Sequence, residues 1–274
     1  MNSSLTSHQL LEKLAFQEVT TASFPTHFAV IIRLRTAMND RQAPHKKIMT
    51  MLNGEPVISA RILQAANMAS LHGHEPVLDL GTAVMMLGVS TVRRIALGVA
   101  MTQLAKTKEL LVFANLSRSL WLHSLETAMA SSVFAEELTT FNHDEAFFAG
   151  LMVNIGAFYL LYQAAHHPML QRSPDDVHAG IKKFHASTTK KVLSHLKLPE
   201  AIITAADMTG FEPITMENPP KSLQEVVRSA CVLAMGDHPW FESFTEGSVI
   251  GPMYEELHPK VLKGLEHLQT EFQQ

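Results

Sequence analysis

Residues 142–162, NHDEAFFAGLMVNIGAFYLLY, decide how this chain folds. From Ala146 to Tyr162 the stretch is apolar on every side, and the one polar side chain that interrupts it is Asn154, between Val153 and Ile155. Asn142 is placed to cap a helix, with Glu145 three residues on as in a capping box. A helix that is apolar all round lies in a core or spans a membrane. This run is about 17 residues, short of the usual span. It also carries Gly150 and Gly156 and has no basic flanks. It reads as one helix in the middle of a soluble bundle. A buried Asn154 without partners costs roughly 1–3 kcal/mol there, so its partners are the central question.

The rest of the chain is consistent with such a bundle. Its 274 residues suffice for a large core, and a net charge of −4 with dispersed basic pairs (Lys46-Lys47, Arg93-Arg94, Lys182-Lys183, Lys190-Lys191) disfavours nucleic-acid binding. The single cysteine, Cys231, permits no internal disulfide and fits a reducing compartment. The amino-terminal MNSSLTSHQLLEKLAFQEV has Glu12 where a secretory segment needs unbroken apolar residues. The expectation is a cytoplasmic protein without membrane attachment.

Upstream, residues 8–22 read as an amphipathic helix with Leu10, Leu11, Leu14 and Val19 on one side, broken at Phe24-Pro25. Helices follow around Phe28–Arg35 and over 45–53. From Pro56 another carries the stripe Ile58, Ile62, Ala65 and Ala69, with Asn67 just off it. His72-Gly73-His74-Glu75-Pro76 is a loop. Residues 79–87 form a helix that Gly88 stops, and Ser90 caps the next. Downstream, helices are expected over 115–138, from Ser173-Pro174-Asp175-Asp176 to about Leu196, over 200–208, from Ser222 to about Met235, and over 258–272. No run of period two indicates a strand, and the fold class is all-α, a multi-helix bundle.

Several segments in order resemble the HDOD domains, relatives of the HD phosphohydrolase and HD-GYP superfamily. They are Phe24-Pro25, the segment GEPVISARILQAAN from Gly54 to Asn67, AVMMLGV from Ala83 to Val89, Trp121-Leu122-His123-Ser124, AFFAGLMVNIG from Ala146 to Gly156, His185, and Leu198-Pro199-Glu200. The resemblance implies an amino-terminal helical part over residues 8–112, an HD-like core over 113–240 and a helical tail over 241–274. In the superfamily's enzymes, histidines and aspartates hold divalent metals that activate water for attack on a phosphoryl group. Carried onto this chain, the first histidine falls on His123, the paired His-Asp on Val153 and Asn154, and the next histidine on His185. The following His-His falls on Thr209-Gly210 and the closing aspartate on about Cys231. Two imidazoles and no carboxylate hold a divalent ion poorly, so neither metal nor other cofactor is expected.

The resemblance therefore implies a bacterial signalling or regulatory module that binds a protein partner or a small ligand; the alternative is a metal-dependent phosphohydrolase with an altered site. His123, Ser124, Asn154 and His185 are the candidate pocket, with His123, Asn154 and His185 at vestigial metal positions and room for a small anion or nucleotide. The residues themselves also permit a structural role, His123 and His185 lying on apolar helix faces and Asn154 bonding to a histidine or to Ser124. Asn67 reads as a structural residue or as a contact between the two halves. Cys231 reads as a buried thiol, and His72, His74, His166 and His167 as surface residues. No glycine-rich phosphate loop, CxxC, HExxH or GxSxG motif occurs.

Overall fold

The stretch 142–162 folds as two helices and not as one. In a computed structural model of the chain, which describes residues 5–19, 49, 52, 54–69, 76–234 and 246–273, helices occupy most of the described length. The chain falls into two units, Met1–Phe24 with Ala105–Leu265, and Pro25–Leu104 with Glu266–Gln274. Phe24-Pro25, the helices expected around Phe28–Arg35 and over most of 45–53, and His72–Glu75 lie outside the described residues.

In the larger unit, α1 (Ser7–Phe16) opens with a complete capping box, Thr6 and Gln9 each accepting the other's backbone amide. It ends where Gln17 turns extended, short of the expected residue 22. Leu11, Leu14 and Ala15 are buried on one side. After α1 the described elements of this unit resume with a 3-10 turn, Lys108–Phe113, that leads into α4 (Ala114–Leu138). Then come α5 (His143–Met152), α6 (Ile155–Ala165), a short α7 (Pro168–Gln171), α8 (Pro174–His195) and α9 (Glu200–Ala206). Finally come α10 (Leu223–Ala234) and α11 (Pro252–Gln273), the latter belonging to this unit as far as Leu265. One parallel pair of two-residue strands, β1 (Thr215–Met216) and β2 (Val249–Ile250), is the only sheet among the described residues.

The core is built around α5 and α6. α5 packs on α4, α9 and α10, while α6 packs on α8, which in turn carries α1. Asn142 caps α5 as expected, its side-chain oxygen accepting the amides of Asp144 (2.9 Å) and Glu145 (3.0 Å). Every residue from Ala146 to Leu161 is buried. The segment His143–Ala165 is apolar and long enough to cross a membrane, as is Leu80–Ala105. The former, buried among protein helices and broken in the middle, is the centre of a core.

The break lies at Val153–Asn154. Asn154 has φ −94° and ψ 9°, outside the helical well. Its side chain makes no cap on α6. Two of the groups at the interrupted ladder are taken by one side chain on another helix. Thr189 of α8 accepts the Gly156 amide on its hydroxyl oxygen (3.0 Å) and donates its proton to the Val153 carbonyl (2.9 Å). Gly156 permits this closeness, because a Cβ there would stand 2.3 Å from the Thr189 nitrogen and 2.4 Å from the His185 oxygen.

The carboxy-terminal helix α11 starts at Pro252, six residues before the expected 258, and Pro259 lies inside it. Its start is set by tertiary bonds. Gly251 donates to the Met216 carbonyl (3.1 Å), and the Tyr254 hydroxyl donates to the Asn218 carbonyl (2.8 Å). Lys260 pairs with Glu137 of α4, and the Tyr254 ring meets Phe134 edge to face at 4.9 Å.

In the other unit, α2 (Pro56–Ala69) buries Ile58, Ile62, Ala65 and Ala66; Ala69, placed on the stripe by spacing, is exposed at the helix end, and Ala66 takes its place. α3 runs from Leu80 to Ala105 with Gly88 as a non-helical residue at φ 77°, so the expected break is there. Asp79 caps α3, accepting from the Thr82 amide (2.9 Å) and hydroxyl (2.7 Å), bonds that hold its carboxyl below the usual range.

Asn67 ties the strand of chain before α3 back onto α2. Its amide nitrogen donates to the carbonyls of Leu63 (2.8 Å) and Val77 (2.9 Å), and its oxygen accepts the Val77 amide (2.8 Å). Asn67→Ala removes all three and is expected to destabilise this unit by about 1–2 kcal/mol. Hydrogen exchange reads it directly: the Val77 amide should exchange at least several-fold faster in the variant, and an unchanged rate would show that the bonds contribute nothing.

Candidate functional site

α4 buries the small polar residues Ser117, Ser124, Thr127, Ser131 and Ser132, together with His123. Of these, His123 and Ser124 stand at the break between α5 and α6. The Asn154 side-chain nitrogen lies 2.7 Å from His123 Nδ1, 3.0 Å from the Ser124 hydroxyl oxygen and 3.5 Å from the Leu120 carbonyl. Ser124 donates its own proton to Leu120 (2.8 Å). With the amide donating, His123 Nδ1 is an acceptor, which puts the proton of the neutral ring on Nε2. The Asn154 oxygen is buried and meets no donor among the described residues.

The structure therefore brings His123, Ser124 and Asn154 into one hydrogen-bonded group. His185 enters the same core from α8, with its carbonyl oxygen against Gly156. Burial pushes the His185 imidazole down to about 4, so it is neutral at pH 7. Thr189 follows His185 by one helical turn and holds the break; Thr188 beside it is also buried. Sequence reasoning missed Thr189. Its signal was the spacing of four residues from His185 on the buried face of α8.

The family assignment follows from the chain's sequence. The HDOD domain matches residues 24–209. The chain belongs to the HDOD family. Solved structures share its fold. A presumed metal-dependent phosphohydrolase from Shewanella amazonensis SB2B is 21% identical, with a TM-score of 0.68 over 97% of this chain and 99% of that one. An HDOD domain protein of unknown function from Geobacter sulfurreducens is 16% identical, with a TM-score of 0.60 over 97% of both chains. A presumed signal transduction protein from Marinobacter aquaeolei VT8 is 12% identical, with a TM-score of 0.61, and this chain spans 65% of its length. No curated protein matches the chain.

The kinship of HDOD domains with HD phosphohydrolases implies a divalent metal, and the residues present do not fit one. Where the paired His-Asp would stand, this HDOD protein has a valine and an amide whose nitrogen is turned to His123. Among the described residues no three side chains of His, Cys, Asp or Glu come together to hold an ion. A doubly charged ion in this apolar core would be left without a counter-charge.

The remaining positions carried over from the superfamily are occupied otherwise. Thr209 and Gly210 form a turn, Gly210 at φ 64° and the Thr209 amide donating to Asp207 (2.9 Å). Asp207, which sequence reasoning also missed, accepts from Lys190 of α8 at 3.0 Å. Burial works to raise its carboxyl, but the bonds from Thr209 and Lys190 outweigh that and hold it below the usual range. His166 is exposed at the end of α6, its Nδ1 2.8 Å from the Tyr162 carbonyl, and His167 follows it at the surface.

Cys231 is fully buried in α10, its sulfur 4.0 Å from the Thr127 hydroxyl. Burial pushes its thiol up to about 12. It should therefore be inert toward a thiol-reactive disulfide reagent at pH 8 in the folded protein and react fully once denaturant is added. Fast labelling of the native protein would mean that α10 opens far more readily than its packing indicates.

Proposed function

We propose that this HDOD protein is a non-catalytic regulatory module of a bacterial signalling pathway, acting in the cytoplasm by binding a protein partner or a small ligand. The observation that carries the reading is the Asn154–His123 bond. An amide nitrogen donates to an imidazole at the place where an enzyme of the superfamily needs charged ligands, and His185 is kept neutral by burial. In this reading His123, Asn154 and His185 occupy vestigial positions of the metal site, which now serve the packing of α4, α5, α6 and α8. The shared fold with a protein named for signal transduction is compatible with this.

The test is metal analysis of the untagged protein, purified without chelator, with a phosphodiesterase assay on bis(p-nitrophenyl) phosphate in added manganese. The expected result is trace iron, manganese and zinc and no hydrolysis above the blank. Near-stoichiometric metal or turnover that depends on His123 would overturn the reading in favour of a metal-dependent phosphohydrolase.

A further inference from the structure

Away from the core, the larger unit holds a cavity of about 380 Å³ between the end of β1, the Asn218–Pro220 loop, α10 and the start of α11. Its size is within the range of small-molecule sites. The walls are held by bonds already formed within the protein. Ile214 donates to the Ser248 hydroxyl oxygen (3.0 Å), β1 pairs with β2, and the Tyr254 hydroxyl fastens the loop through Asn218. Ile214, Met216, Pro219 and Pro220 give it an apolar side.

Facing them is Arg228 of α10. Its guanidinium lies 5.7 Å from the Phe211 ring centre, which orients the fork. Its Nε is buried and has no hydrogen-bond partner among the described residues. Glu225, one turn earlier, also lines the cavity, but one of its carboxylate oxygens accepts the Lys221 amide at 2.7 Å, and no described ion pair joins it to Arg228. Lys221, exposed, also lines the cavity and adds a second positive charge to the site. A guanidinium lining the cavity beside an apolar wall suits the head group of an organic anion.

We propose that this cavity binds a small organic anion, whose carboxylate or phosphate meets Arg228 and Lys221 and whose apolar body lies against Ile214, Met216 and the two prolines. The site is separate from the His123–Asn154 group and does not depend on the reading given for it.

The test titrates the full-length protein with phenyl phosphate, benzoate and inorganic phosphate, following the Arg228 Nε–Hε resonance by NMR. Phenyl phosphate or benzoate should shift that resonance saturably, and the tighter of the two identifies the preferred head group. Arg228→Gln should weaken binding roughly tenfold or more, with a melting temperature near that of the wild type. Lys221→Gln, at an exposed position, should weaken it by a smaller factor. Absence of a saturable shift with both organic probes overturns the proposal, as does binding that survives both substitutions. Equal binding of inorganic phosphate would show an adventitious ion only and remove the role of the apolar wall.

Discussion

Gly156→Ala should lower the melting temperature by about 10 °C, corresponding to roughly 3 kcal/mol for a unit of this size. The added methyl would stand 2.3 Å from the Thr189 nitrogen, 2.4 Å from the His185 oxygen and 2.7 Å from the Thr189 hydroxyl oxygen. Two of these three are backbone atoms of α8 and cannot rotate away. α6 and α8 must then move apart, and the movement lengthens both bonds by which Thr189 holds the Val153–Asn154 break. Gly264→Ala is the matched control. Its methyl would meet the Met129 side chain, with the sulfur nearest at 2.6 Å, and a thioether swings aside at little cost. Thermal unfolding followed by circular dichroism compares the two. A Gly156→Ala protein that melts within about 2 °C of the wild type would show that α6 and α8 are not in such contact.

Lowering the pH from 7 to 4 should weaken the fold, and His185 should account for up to about 3 kcal/mol of the loss. The imidazole has a pKa of 6.5 when exposed and about 4 in the core. Above pH 6.5 neither state carries the proton. Between pH 6.5 and 4 the unfolded chain binds it and the folded protein does not, so stability falls as pH falls. Below about 4 both states are protonated and this contribution levels off. His178 shifts in the same direction, chiefly through burial and then through Lys182, with Asp175 opposing. The difference between the wild type and His185→Gln therefore isolates His185. Urea unfolding at pH 7, 6 and 5 should give the variant a distinctly flatter pH dependence, whatever its stability at pH 7. Parallel curves for the two proteins would mean that His185 is solvated.

Much of the fold was legible in the chain because the signals are local. Asn142 caps α5 through amides two and three residues away, Ser222 caps α10 through the Glu225 amide (3.1 Å), and Gly88 breaks α3 by its own positive φ. The family segments, read in order, pointed to the HDOD domain and an all-α bundle, and the match over residues 24–209 agrees. The start of α11 was not legible in the same way, since the bonds that begin it come from Met216 and Asn218, more than thirty residues upstream.

The amino-acid sequence by itself determined the helical class and most helix ends, because each depends on residue type or on partners within one helical turn. The tertiary structure alone decided that the central apolar run is two helices and that, of the partners the sequence offered, the Asn154 amide takes both His123 and Ser124. An unbroken helix is the locally favoured state of residues 146–162. The break is held by Thr189, thirty-three residues beyond Gly156, which supplies hydrogen bonds to the Gly156 amide and the Val153 carbonyl there.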